Sequence, residues 1–224
     1  MNSAQKASTM SRISNNKGFT LIEMAIVLVI IGIIIGAVVK GQDLVDNAKS
    51  KQFASNLQAW RIALNTYYDR KGRYPGDINR DGIIASGAGD TVTPYDDINS
   101  ASFTSAPQTS FSLGGATFYV ALGNDGAPTP SNYLVVCKNI TCTGPFSNAN
   151  SSDLSALKYF EAFDTAIDGS ADPTQGTVKS FTAATVSANT GSTAVARVTA
   201  LTLGASTADW INATNINGLA YQIK

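Results

Sequence analysis

Histidine is absent from the 224 residues, cysteine occurs only twice, and charged side chains make up only 14 %. Without histidine there is no Ser-His or Cys-His nucleophile, and two thiols alone cannot complete a zinc site. No glycine-rich phosphate loop follows a strand. Nothing in the carboxylate spacing supports a two-carboxylate glycosidase, and nothing supports a Ser-Lys hydrolase. The expectation is a chain that is not an enzyme. The charged share is well below the roughly 25 % of an average soluble protein, so Ser, Thr, Asn, Gly and Ala must supply most of the surface. The 16 basic and 16 acidic residues cancel, so no field of one sign predicts a nucleic-acid partner.

Long apolar runs are also scarce, with one exception. Phe19 to Val39 reads FTLIEMAIVLVIIGIIIGAVV, and at about 1.5 Å per helical residue it can cross a hydrocarbon layer of roughly 30 Å. Lys6, Arg12 and Lys17 precede it with no acid among them. This charge bias predicts a cytoplasmic leader over residues 1–18 and export of everything beyond Lys40. A secretory signal peptide would have a shorter core and a small-residue site at its far end, and Val39-Lys40-Gly41-Gln42 is not such a site. Hydropathy alone would favour a plain anchor for a soluble domain. Glu23 argues otherwise, because a carboxylate inside a membrane span is costly unless paired or neutralised. Its bland reading is an anion in the first helical turn, where the helix dipole favours it. A cut after Gly18 would place a new positive amine on Phe19, one turn from Glu23.

Lys17-Gly18-Phe19-Thr20-Leu21-Ile22-Glu23 resembles the processing motif of type IV pilins and of the pseudopilins of type II secretion systems. The likeness is specific from Lys17 to about Gln42. It implies that a prepilin peptidase cuts between Gly18 and Phe19 and methylates the Phe19 amine. It also implies that Glu23 pairs with the amine of an adjacent subunit as an inner-membrane assembly platform extracts each copy from lipid. Many members have a proline where this chain has Lys40, so unwinding of the helix in a fibre has only Gly32, Gly36 and Gly41 to act through. Gly32-Ile-Ile-Ile-Gly36 is also a spacing that lets two helices approach closely.

Beyond Lys40 the helical pattern becomes amphipathic. Phe53, Leu57, Trp60, Leu64 and Tyr67 recur at steps of three and four, and Gly72 and Pro75 mark the end. The stripe reads as core packing. The fold class is α+β and pilin-like, with one long helix from about Phe19 to Lys71, which would be about 80 Å long. Residues 19–39 form its membrane or assembly half and 40–73 its amphipathic half, packed on an antiparallel β-rich head at 74–224. Strands are expected at Thr117–Leu122, Tyr133–Val136, Thr177–Phe181, Ala194–Leu203 and Leu219–Ile223, and a short helix at Ser152–Ile167. Residues 84–116 and 140–152 read as loops.

Asp77-Ile78-Asn79-Arg80-Asp81-Gly82-Ile83 resembles the front half of an EF-hand loop, with oxygen ligands at Asp77, Asn79, Asp81 and the Ile83 carbonyl. Ala88 stands where the glutamate belongs, leaving Asp90, Asp96 or Asp97 to complete a calcium shell. The other reading is an Asx-rich turn that closes off the helix. Asp164, Asp168 and Asp172 read as a solvated turn. Cys137 and Cys142 are expected to form a disulfide around a small loop, worth about 2 kcal/mol on a chain-entropy basis. Three roles follow: a type IV pilus subunit on the cell surface, a pseudopilin in the periplasm, and a membrane-anchored binding domain that never polymerises. In the first two, single-pass inner-membrane storage precedes assembly with copies of itself or related pilins.

Overall fold

The computed structural model describes residues 18–87, 89–187, 197–204, 209–212 and 215–223. The leader up to Lys17, the start of the strand expected from Ala194, and Ala88 lie outside the described residues. The chain divides into two compact units, residues 1–45 and 46–224. Helix α1, Leu21–Lys71, is 51 residues long and contributes to both.

In the second unit, α1 buries Phe53, Leu57, Trp60, Ala63, Leu64 and Tyr67, the apolar stripe that its periodicity implies. Burial of each large apolar side chain such as Phe53, Leu57 or Leu64 stabilises the head by about 1.5–3 kcal/mol. The helix stops where Gly72 adopts a left-handed φ of 66° and its N–H bonds to the Tyr68 carbonyl at 2.8 Å. Only glycine enters that conformation without a steric penalty.

The head follows as α2 (Pro94–Asn99), β1 (Ser110–Leu113), β2 (Ala116–Asn124), β3 (Asn132–Cys137), α3 (Ser151–Asp168), β4 (Val178–Ser187), β5 (Arg197–Leu203) and β6 (Gly218–Ile223). The α+β class and the short extra helix are as expected. Helix α2 and strand β1 fall in a stretch expected to be loop. Thr93 caps α2 by accepting from the Asp96 amide, and Pro94 occupies its first turn. At six residues the helix is too short to show a period. Helix α3 starts from the Asn150 cap and ends at Gly169, with φ 78°.

The six strands run in the order β1-β2-β3-β6-β4-β5, and adjacent strands are antiparallel. The sheet then curls until β5 meets β2 in parallel, Val198 opposite Gly123. β1 and β5 therefore share one edge of β2, β1 pairing with Ala116–Tyr119 and β5 with Gly123. Curling buries both faces. Phe118, Val120, Leu122, Leu134, Val136, Leu219 and Tyr221 face the larger core with α1 and α3. Ala121, Tyr133, Val135, Cys137 and Ala220 alternate onto an inner core with Phe181, Val198 and Leu201. Strands buried on both faces read as continuous apolar runs, which is why β3 is buried at every position.

Candidate functional site

Two places hold the residues that the sequence singles out, one in each unit. The first begins at Gly18 and Phe19, the latter 80 % exposed. Thr20 stands before the first turn of α1. Its amide and its hydroxyl both donate to Glu23 Oε2 at 2.8 Å, and the Glu23 amide donates back to Thr20 Oγ1 at 3.3 Å. This reciprocal arrangement is a capping box, which satisfies amides left open at a helix start. The Thr-x-x-Glu spacing carried that signal in the sequence, where Glu23 reads as an anion in the first turn or as a partner for the Phe19 amine but not as a cap. Among the described residues nothing bonds to Glu23 Oε1, so one carboxylate oxygen stays open to a further donor.

Every residue from Gly18 to Ala48 is exposed. The apolar stretch of α1 is long and apolar enough to cross a membrane, and none of it is buried in the chain. Gly32 and Gly36 lie one turn apart, and a Cβ added at either meets nothing within 4 Å. The chain's own packing does not require glycine at these positions.

The second place is the acidic loop after α1. Asp77 Oδ1 accepts from the Asp81 amide and Oδ2 from the Gly82 amide. Asp90 Oδ1 accepts from Ile78 and Asn79, and its Oδ2 from the Ser86 amide and hydroxyl. Asp81 Oδ1 accepts from the Ile83 amide, and its Oδ2 from Asn79 Nδ2 and Ser86 Oγ. These carboxylates serve as acceptors for the loop's own amides, the pattern of nested Asx turns. Among the described residues no group of three or more His, Cys, Asp or Glu side chains could hold a metal ion. Burial pushes the Asp77 carboxyl up, opposed by the loop amides and reinforced by the negative charges of Asp81 and Asp90. The Ser86 hydroxyl holds Asp81 low.

The loop is fastened to the sheet by two buried amides that sequence reading missed. Asn132 Oδ1 accepts from the Ile84 amide at 2.7 Å and its Nδ2 donates to the Gly82 carbonyl at 2.8 Å. Asn124 Nδ2 donates to the Ile84 carbonyl at 2.8 Å. The two asparagines face each other in the β2–β3 ladder, and Ile84, fully buried, plugs the larger core. Asp97, named with the loop as a completing ligand, instead pairs with Arg73 and accepts from the Gly76 amide.

Cys137 and Cys142 are joined in a disulfide and both sulfurs sit in the inner core. The intervening loop is tied by Asn139 Oδ1, which accepts from the Thr141 and Thr143 amides. Of the acidic group at the end of α3, Asp164 departs from the expected solvated turn. Asp164 is fully buried, because Trp210 folds over it and donates to Oδ2 at 2.8 Å.

The family model of the prokaryotic N-terminal methylation motif matches residues 13–39, a stretch that carries the prepilin signature of type IV pilins and pseudopilins. No curated protein and no solved structure matches the chain.

Proposed function

We propose that this chain, bearing the prepilin-type signature common to type IV pilins and pseudopilins, is a structural subunit of an extracytoplasmic type IV pilus-like filament. The observation that supports it most is a coincidence of position. The matched residues 13–39 end in the part of α1 whose apolar side chains are all exposed. An apolar helix face without partners in its own chain must be covered by lipid or by other copies.

In this reading prepilin peptidase cuts between Gly18 and Phe19 and methylates the Phe19 amine, which keeps its positive charge. Before the cut the chain is a single-pass inner-membrane protein with its head in the periplasm. After it, an assembly platform lifts each copy out of lipid into the fibre. Glu23 Oε2 is held by the Thr20 cap, which leaves Oε1 as the acceptor we assign to the amine of a neighbouring Phe19. The role is one of architecture and not of catalysis.

The matched residues are common to pilins and pseudopilins, so a periplasmic pseudopilin of type II secretion is the second reading. A head rich in Ser and Thr and locked by a disulfide favours the surface pilus. Intact mass and N-terminal sequencing of the chain from cells are expected to show a methylated start at Phe19; a product still beginning at Met1 would sink the processing claim. Glu23→Ala is expected to be processed but to yield few fibres, and normal yield would count against the pairing. Antibody to the head should label filaments on intact cells, whereas label confined to opened cells would favour the pseudopilin.

A further inference from the structure

The end of α3 holds the one side-chain oxygen among the described residues that is buried without a hydrogen-bond donor, Asp164 Oδ1. The residue is 0 % exposed. Its other oxygen accepts from Trp210 Nε1, and Trp210 is also fully buried, edge-on to Phe160 at 5.6 Å between centroids. An ionised carboxylate in such a place needs a cation or several donors. Neither is present among the described residues, where none of the ion pairs includes Asp164.

The charged groups acting on Asp164 are Asp168, one turn further along α3, and Asp172 beyond the helix end. Asp168 Oδ2 accepts from the Thr177 and Val178 amides at 2.8 and 2.7 Å, at the entry to β4. Asp172 Oδ1 accepts from the Thr174 amide and hydroxyl. On the facing segment, Asp209 turns its carboxylate onto the Ile211 and Asn212 amides. From α1, Arg61 reaches the Tyr221 hydroxyl. Asp168 lies four residues along α3 and so on the same helix face as Asp164, and two carboxyl groups can share a hydrogen bond only if a proton lies between them.

We propose that Asp164 keeps its proton in the folded head below neutral pH and donates it to the Asp168 carboxylate, as a latch joining α3, the entry to β4 and the Trp210 segment. As pH rises through neutrality the proton leaves to solvent, the buried Asp164 carboxylate faces the partly buried Asp168 carboxylate, and the Trp210 segment loosens. Burial pushes the Asp164 carboxyl up to about 7, with Trp210 opposing and the charges of Asp168 and Asp172 reinforcing it. An aspartate of the unfolded chain titrates near 4. Between the two values the folded state binds a proton that the unfolded state does not, so stability falls as pH rises through that window and the loss is complete above it.

Thermal unfolding of the full chain in detergent micelles, from about pH 5 to about pH 8.5, tests the latch. The wild-type midpoint is expected to fall by several degrees over that range. Asp164→Asn supplies a permanent N–H toward Asp168 and should show a flat profile. Equal slopes for the two proteins would overturn the proposal. Should the variant not fold, infrared spectra of the wild type still decide: a buried protonated carboxyl band at about pH 6 that disappears by about pH 8.5 supports it, and no such band refutes it.

Discussion

Arg73 and Asp97 meet as a fork, Nη1 to Oδ2 at 2.6 Å and Nη2 to Oδ1 at 3.0 Å, with the Gly76 amide completing the shell of Oδ2. Their side chains are 15 % and 9 % exposed, so solvent screens them little. Burial alone would raise the Asp97 carboxyl, yet the Arg73 and Gly76 hydrogen bonds outweigh it and hold it below the usual range. Asp97 in turn helps to raise the Tyr67 hydroxyl to about 12, an effect led by burial. A depressed carboxyl contributes stability at neutral pH that is lost as pH falls below about 4. Asp97→Asn leaves the partly buried Arg73 with only the Tyr74 and Asp77 carbonyls as acceptors and is expected to cost about 1–3 kcal/mol at neutral pH. Urea unfolding checks this, and the gap between wild type and variant should narrow on acidification. A gap independent of pH would place the effect elsewhere.

At the scale of elements, closure of the sheet depends on one small residue. A Cβ on Gly123 would collide with the Val198 carbonyl across the β2–β5 contact. Gly123→Ala is expected to destabilise the head by about 1–3 kcal/mol, read as a lower urea midpoint. An unchanged midpoint would mean that β5 does not need this close approach. Nothing in the sequence announces it, since Leu122-Gly123-Asn124 looks like the end of any strand. The strands themselves were legible. Thr117–Leu122 and Tyr133–Val136 lie inside β2 and β3 because apolar runs between turn residues need no long-range information. β1 carried a period of two in Ser-Phe-Ser-Leu, but four residues are too few to stand out from its Ser-rich surroundings. The Cys137–Cys142 bridge was readable from the absence of any other thiol.

For the whole molecule, the decisive contrast is between a head with two buried cores and a helix stretch that is exposed throughout. A Cβ at Gly32 or Gly36 would meet nothing within 4 Å among the described residues, so any demand for glycine there comes from other copies. The double variant Gly32→Val, Gly36→Val is expected to leave the unfolding midpoint of the head unchanged and to lower fibre yield. Normal fibres from this variant would show that the helices do not pack at these glycines.

Run length and helical period, both properties of neighbours in the chain, settled the membrane-length segment, the buried stripe of α1 and the α+β class. The Thr20–Glu23 cap belongs with them, since three residues of spacing encode it. Tertiary structure alone decided the return of β5 to β2 and the fastening of the acidic loop by Asn124 and Asn132. It also decided the surroundings of Asp77 and Asp164. The physical reason is that a carboxylate has the same sequence signature whether water, a metal, a backbone amide or a shared proton satisfies it. Which of these it meets depends on groups such as Trp210, 46 residues from Asp164, that only folding brings within reach.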